Sequence, residues 1–315
     1  MMGGKGFLPV KSDVVFRLFF ADERNKESLV NFLQSVLRLP KEEYDRIEIA
    51  DPHLLREYLD DKLSIIDVKL YTKSRKVVHI EIQLAVTSEL RERVVFYVAK
   101  LVTEQIGEGD NYNLIRRVIS ILVTDEKLIH ASPRYHHRFT LYDHEAGVEL
   151  TDIIEINTLE LSKLPKSADG TALYDWAKFI DAETEEELNM VAERNPQVER
   201  AVVKLFELSS DAHARDLYER REKERRDRAS EKKWARQEGL EEGLREGLQK
   251  GRQEGLQEGL QKGLQKGRQE GLQEGLQKGR LDLARKAMKM NLLVDDIVRL
   301  TGLTREEVED LREAN

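Results

Sequence analysis

The chain has 315 residues and no cysteine. Disulfides, thiolate chemistry and cysteine metal sites are all excluded, and a reducing, cytoplasmic location is the expectation. No run of 18 or more apolar residues occurs, so no membrane-spanning helix is expected. Residues 1–11 lack the apolar core of a signal peptide. Aromatic residues make up only 6% of the chain, and no aromatic platform for stacking single-stranded bases stands out. A net basic charge is also lacking. The formal charge of −8 argues against nucleic-acid binding as a property of the whole chain, though not against a local basic groove. Charged residues reach 36%, well above the ordinary quarter, so part of the chain is expected to be solvated and extended.

What is abundant is periodic. Glycine recurs at every fourth position from Gly239 to Gly279, which accounts for 11 of the 19 glycines. The unit reads Gly-Leu-Gln-Glu or Gly-Leu-Gln-Lys, with arginine replacing leucine at Arg252, Arg268 and Arg280. Leucine, glutamine, glutamate and lysine favour helix, but eleven interior glycines cost roughly 10 kcal/mol relative to alanine. A four-residue period drifts about 40° per repeat on an α-helix, so it cannot keep one seam facing a partner along its length. A marginal helix or flexible spacer is expected, rather than a straight coiled coil. Residues 219–236 hold nine basic and five acidic residues. They suit a solvated helix laced with salt bridges, or alternatively a basic arm touching phosphates. Residues 281–315 regain a helical pattern, with short helices expected at 281–290, 294–301 and 305–313. Gly302 would end the second, and Thr304 with Glu307 would form a capping box on the third.

The front of the chain alternates differently. Helical spacing covers 13–20, 27–37 and 89–106, and again 172–181, 185–193 and 197–209. Residues 63–71 and 77–86 are β-rich and alternating, 118–123 is a continuous apolar run, and 135–142 is a further strand candidate. The mixture of helices and strands predicts an α/β domain. Within it, Asp67 lies between Ile66 and Val68, and Glu81 and Gln83 are flanked by Ile80, Ile82 and Leu84. Strand alternation puts Glu81 and Gln83 on one face, with His79 beside them. A hairpin at 72–76 would bring Asp67 and Glu81 to about one inter-strand spacing, ~5 Å. Two close carboxylates need a cation to stay ionised near neutrality. A hard divalent ion is a natural partner, able to activate water against a phosphodiester, with Gln83 placed to orient that water. Alternatively, the two acids face solvent or pair with Lys62, Lys69 and Arg75.

The order and spacing over residues 11–125 resemble the recombination-promoting nuclease family, also described as PD-(D/E)XK nuclease-like transposases. The residues that carry the resemblance are Asp13, Phe16, Arg17 and Phe19, then Asp61 to Asp67, then Glu81 and Gln83, then Arg93, Tyr97 and Gln105, and finally Gly109 to Tyr112. The glycine repeat and the segment 301–304 also look like the C-terminal ends of that family. The resemblance implies a restriction-endonuclease-like core, a mixed sheet flanked by helices, that hydrolyses DNA phosphodiesters with Mg²⁺ or Mn²⁺. It implies Asp67 and Glu81 as metal ligands, Gln83 in the place usually held by lysine in the wider superfamily, and Asp13 near the site, assisting through a metal-bound water. Arg93 and Tyr97 share a helix face and would look toward the site or the scissile phosphate, or else serve packing. Arg17 keeps a charge where the family often has lysine. Gln83 is neutral and cannot offset charge as lysine would, but it can hydrogen-bond a water.

The expected organisation is a nuclease-like domain over 1–215, a charged helix or linker over 216–236, the glycine tract over 237–280 and a small helical tail over 281–315. The last helix of that tail carries five acids against two bases, which suits docking or self-association better than reading DNA. The expected function is a Mg²⁺-dependent DNA endonuclease linked to recombination or mobile DNA, with DNA as partner and a homo-oligomer formed through the C-terminal region. The alternatives are a catalytically degenerate nuclease fold that binds nucleic acid or protein and, below it, a transposase. His136 and His137 would point to opposite faces of a strand, which makes them a poor metal pair, and His53 is isolated.

Overall fold

The computed structural model describes residues 6–50 and 68–313. The chain forms two compact units, 1–227 and 228–315.

In the first unit, α1 (Asp13–Phe20) and α2 (Lys26–Val36) precede a short strand, β1 (Glu48–Ile49). Then come β2 (Val68–Tyr71), β3 (Val77–Gln83), α3 (Leu90–Thr103), β4 (Val118–Thr124), β5 (His136–Asp143) and β6 (Val148–Glu160). Helices α4 (Ala172–Asp181), α5 (Glu185–Arg194) and α6 (Pro196–Ser210) complete the layer that begins with α1 and α2. The six strands form one mixed sheet in the order β1-β2-β3-β4-β6-β5. Strands β3, β4 and β6 run parallel to one another in its middle, and the remaining pairs are antiparallel. Helix α3 is the crossover between the parallel β3 and β4, as such a connection requires.

The sheet buries both faces. On one side Val78, Ile80, Ile82, Ile119, Ile121 and Val123 pack against α1, α2, α4, α5 and α6. The scarce aromatics are concentrated here: Phe16, Phe19, Phe20, Phe32, Trp176 and Phe179 form a chain of ring contacts, with Phe16 and Phe20 at 4.6 Å and Phe32 and Trp176 at 6.0 Å. On the other side Leu90, Val94, Val98 and Leu101 of α3 cover Val77, Val118 and Leu122. The continuous apolar run expected at 118–123 is explained by this double burial, since every residue of β4 is buried.

Strand β6 has thirteen residues and lies inside the sheet, yet the sequence pattern does not announce it. Four acids, Glu149, Asp152, Glu155 and Glu160, interrupt its apolar alternation. Three are matched by cations: Arg117 bonds Asp152 at 3.1 Å and Arg138 bonds Glu155 at 2.8 Å from other strands and loops, and Lys163, three residues on, lies 2.7 Å from Glu160.

The β2–β3 hairpin is secured at its turn. Glu43, within a single helical turn at Lys41–Tyr44, accepts from Thr72 Oγ1 at 2.7 Å, Ser74 Oγ at 2.8 Å and Lys76 Nζ at 2.5 Å. Burial pushes its carboxyl up, but these donors together outweigh burial and hold it at about 2, against an ordinary 4.5. A depressed acid contributes stability that is complete above its unfolded value and is lost as pH falls through the folded one. About 3 kcal/mol is expected to disappear between pH 4.5 and pH 2 through this group. Urea unfolding of wild type and Glu43→Gln over that range checks it: the gap between the two should close on acidification, and a gap independent of pH would refute the assignment.

Helix α7 (Ala212–Lys289) runs for 78 residues and contains the whole glycine tract. Of the two states left open by composition, the structure adopts the helix. In the second unit, Ala284 and Ala287 near the end of α7 pack with Ile297 of α8 (Val294–Thr301), with Leu303, and with Val308 of α9 (Arg305–Glu313). Gly302 takes the left-handed conformation, φ 68°, that ends α8. The Thr304 amide donates to Glu307 Oε2 at 2.8 Å while the Glu307 amide donates to Thr304 Oγ1 at 3.3 Å, which completes the expected capping box.

Candidate active site

Strand alternation sends His79, Glu81 and Gln83 to the face covered by α3, while Val78, Ile80 and Ile82 go to the aromatic core. Glu81 is only 5% exposed. A carboxylate so placed in the middle of a sheet must be paired to remain charged. Gln83 Nε2 donates to Glu81 Oε1 at 2.7 Å, and Arg93 Nη2 reaches the same oxygen from α3 at 2.9 Å. Burial pushes the Glu81 carboxyl above the ordinary glutamate range, against the pull of Arg93 and Gln83. Oxygen Oε2 has no hydrogen bond among the described residues. The expectation that Glu81 and Gln83 share a face is met, and the arginine on α3 turns toward them.

Asp67 lies outside the described residues. It directly precedes Val68, which pairs with Ile80, the residue before Glu81. Tyr97, one turn beyond Arg93, is buried and meets Phe96 edge to face at 5.5 Å. Asp13 is paired with Arg221 of α7, which donates to its Oδ2 through Nε at 2.8 Å and makes a second, shorter contact through Nη2. No hydrogen bond joins Asp13 to Glu81 among the described residues. The side chain of Arg17 likewise has no ion pair there.

His79 is buried, and neither ring nitrogen has a hydrogen-bond partner among the described residues. Desolvation, helped by Lys69, lowers its pKa to about 4, so it is neutral at physiological pH. His136 and His137 point to opposite faces, as expected for neighbours on a strand. The first meets Asn157 at 3.2 Å and the second Glu160 at 3.4 Å. Gln105, part of the motif pattern, has a positional role. Its amide nitrogen donates to Leu101 O and Arg116 O, and its oxygen accepts from Arg116 N at 2.8 Å, tying the loop before β4 to the end of α3. Gly109 in that loop has φ 87°.

Two residues escaped the sequence reading. Asp125 follows β4 directly, and its amide donates to Gln83 O at 3.3 Å. Lys11 lies 3.9 Å from Asp125 and from Asp181, and 2.5 Å from Glu183. The available signal was an acid placed immediately after a buried parallel strand, the end of a sheet where ligands bind in open α/β folds. Among the described residues no group of three histidine, aspartate or glutamate side chains is arranged to hold a metal ion.

A buried glutamate followed two positions later by a polar residue, on an interior strand of a mixed sheet, is the end of a D…E-x-Q arrangement. The model of the PD-(D/E)XK nuclease family transposases matches residues 10–235. The chain belongs to this family. Neither curated proteins nor solved structures gave a match. Family membership supports a nuclease- or transposase-like function, and PD-(D/E)XK nucleases usually use divalent metals. The mixed sheet flanked by helices is consistent with a restriction-endonuclease-like fold. No helix among the described residues is long and apolar enough to cross a membrane.

Proposed function

We propose that the protein is a DNA endonuclease that hydrolyses phosphodiester bonds with Mg²⁺ or Mn²⁺ held by Glu81 and Asp67. The observation that supports this reading best is Glu81 itself: a buried carboxylate on an interior strand, with one oxygen bound to Arg93 and Gln83 and the other without a bond among the described residues. That donor set suits a hard cation, which takes carboxylate oxygens and keeps positions for water and phosphate. The cation would supply a nucleophile at neutral pH and offset charge on the phosphate.

The chain's own residues have separate tasks in this reading. Gln83 holds Glu81 in place through its amide nitrogen, and its carbonyl oxygen is available to accept from a water. Arg93 carries the positive charge that Gln83 lacks. It offsets the charge of Glu81 at 2.9 Å, and with a divalent ion bound there it could also donate to a phosphate oxygen. The guanidinium offers several donors in one plane, so it can serve both partners. DNA cleavage without strand joining is the proposed reaction, and recovery of joined products would move the reading to transposition.

Arg93→Gln is accordingly expected to reduce cleavage of plasmid DNA by about 100-fold, and Arg93→Lys by less. Divalent-metal binding, followed by titration calorimetry, should persist or tighten in Arg93→Gln because a competing cation is gone. Loss of metal binding together with cleavage would show instead that Arg93 only holds the strand in place.

A further inference from the structure

The chain carries a formal charge of −8, so a polyanion can be held only where positive charge is concentrated locally. The loop 125–135, between β4 and β5, is such a place. It leaves β4 beside the candidate site, where the Asp125 amide donates to Gln83 O at 3.3 Å. It reaches β5 at Tyr135, whose carbonyl accepts from the Glu160 amide at 2.7 Å. In the strand order β3-β4-β6-β5 the loop therefore runs along the carboxyl ends of the parallel strands, the edge at which open α/β sheets bind their ligands. It is held there firmly. Arg91 of α3 donates to Leu128 O, the Glu160 carboxylate accepts from the amides of Leu128 and Ile129 at 2.8 and 3.2 Å, and Lys163 donates to Ile129 O at 2.5 Å. Leu128 joins the apolar cluster under α3.

The charges of this loop are sorted. Its acids are engaged: Asp125 lies 3.9 Å from Lys11, and Glu126 Oε2 accepts from the Val86 amide at 3.0 Å. Its cations are not. Lys127 and Arg134 are exposed, and neither side chain has an ion pair or hydrogen bond among the described residues. Two unpaired cations on a loop whose backbone is already fixed can meet an anion at little cost in ordering.

We propose that the loop 125–135 is a rail for the sugar-phosphate backbone of the substrate, with Lys127 and Arg134 each bound to a phosphate on one side of the scissile bond. The identity of the substrate as DNA rests on the nuclease reading. Neighbouring strands lie about 4.8 Å apart, so the three steps from β3 to β5 span about 14 Å, the rise of about four base pairs. Lys127, near the β4 end, then meets a phosphate close to the scissile one, and Arg134, at the entry to β5, meets one several nucleotides away. Phosphate contacts set register and orientation but carry no sequence information. The rail thus presents DNA of any sequence to Glu81 and Gln83.

The test is the salt dependence of binding, followed by fluorescence anisotropy with the full chain and two DNA duplexes of unrelated sequence, in EDTA so that neither is cut. Each phosphate contact contributes about 0.9 to the slope of log affinity against log salt. Lys127→Ala combined with Arg134→Ala should reduce that slope by about 1.8 on both duplexes. Between about 50 and 200 mM salt the wild type then loses about tenfold more affinity than the variant. Lys127→Arg with Arg134→Lys should keep the wild-type slope. So should Arg116→Ala, which removes an exposed cation just before β4, at the opposite end of the sheet. In Mg²⁺ the double alanine variant should raise KM for cleavage by about tenfold, more than it lowers kcat. An unchanged slope in the double alanine variant, an equal loss in Arg116→Ala, or a wild type that binds neither duplex refutes the rail. The nuclease reading is judged separately. Binding through Lys127 and Arg134 without metal-dependent cutting would keep the rail and discard the nuclease. Metal-dependent cutting with slope and KM untouched by the double variant would discard the rail alone.

Discussion

Replacing Glu81 by glutamine is expected to reduce DNA cleavage by about 1000-fold or more with the domain still folded. Glutamine has the shape of glutamate, so the strand and its pairing with β4 should survive. What disappears is the charge that can hold a divalent ion and that Arg93 neutralises at 2.9 Å. The stability cost should be modest, about 1–2 kcal/mol, because Arg93 retains a carbonyl acceptor and is partly exposed. Two readouts separate chemistry from folding: plasmid cleavage should collapse, while the urea midpoint moves only slightly. A variant that unfolds would place Glu81 in the architecture of the sheet, and one that cleaves normally would remove it from the site.

Glu160→Ala should act on stability rather than directly on chemistry. Glu160 is fully buried, accepts from the amides of Leu128 and Ile129 at 2.8 and 3.2 Å, and faces Lys163, whose side chain is 5% exposed. Removing the carboxylate leaves an ammonium ion buried without a counter-charge and two amides without their acceptor. Breaking such a pair from one side costs about 4 kcal/mol. Equilibrium unfolding in urea measures it, with Glu160→Gln expected to lose less because it keeps one acceptor oxygen. A loss under about 1 kcal/mol would mean that water replaces the carboxylate and that the loop after β4 is held by other contacts.

These two glutamates show what the sequence reveals and what it hides. Glu81 was legible because it stands alone in a strongly apolar, alternating strand, where a charge must be paired or functional. Glu160 was not, because it ends a strand interrupted by Glu149, Asp152 and Glu155. Arg117 and Arg138, the partners of Asp152 and Glu155, come from other segments, and spacing along one segment carries no record of them; Lys163 is local to Glu160, but the amides of Leu128 and Ile129 that Glu160 also accepts from are not. For the same reason β6 was missed although it is the longest strand. The helices fared better: α4, α8 and α9 fall where apolar spacing, Gly302 and the Thr304–Glu307 pair place them, because caps and helix spacing are local. In the glycine tract, helix-favouring side chains and helix-weakening glycines nearly balance, so local propensity alone could not decide its state.

The candidate site divides in the same way. Residues two apart on a strand necessarily share a face, so Glu81 and Gln83 were found together. Arg93 was marked by its position on α3, but its contact with Glu81 depends on how the helix docks across the sheet. Asp13 pairs with Arg221, about two hundred residues later in the chain; a long-range ion pair of this kind has no sequence signature. Lys11, with Asp125, Asp181 and Glu183, likewise assembles only through the fold.

The most direct test of the account is cleavage of supercoiled plasmid by the purified full-length protein, wild type beside Asp67→Ala, each in Mg²⁺ and in EDTA. Nicked or linear DNA is expected only from wild type with Mg²⁺, and no products from Asp67→Ala although it remains folded. Equal cutting by both proteins, or cutting that survives EDTA, would contradict a metal-dependent nuclease built on Asp67 and Glu81.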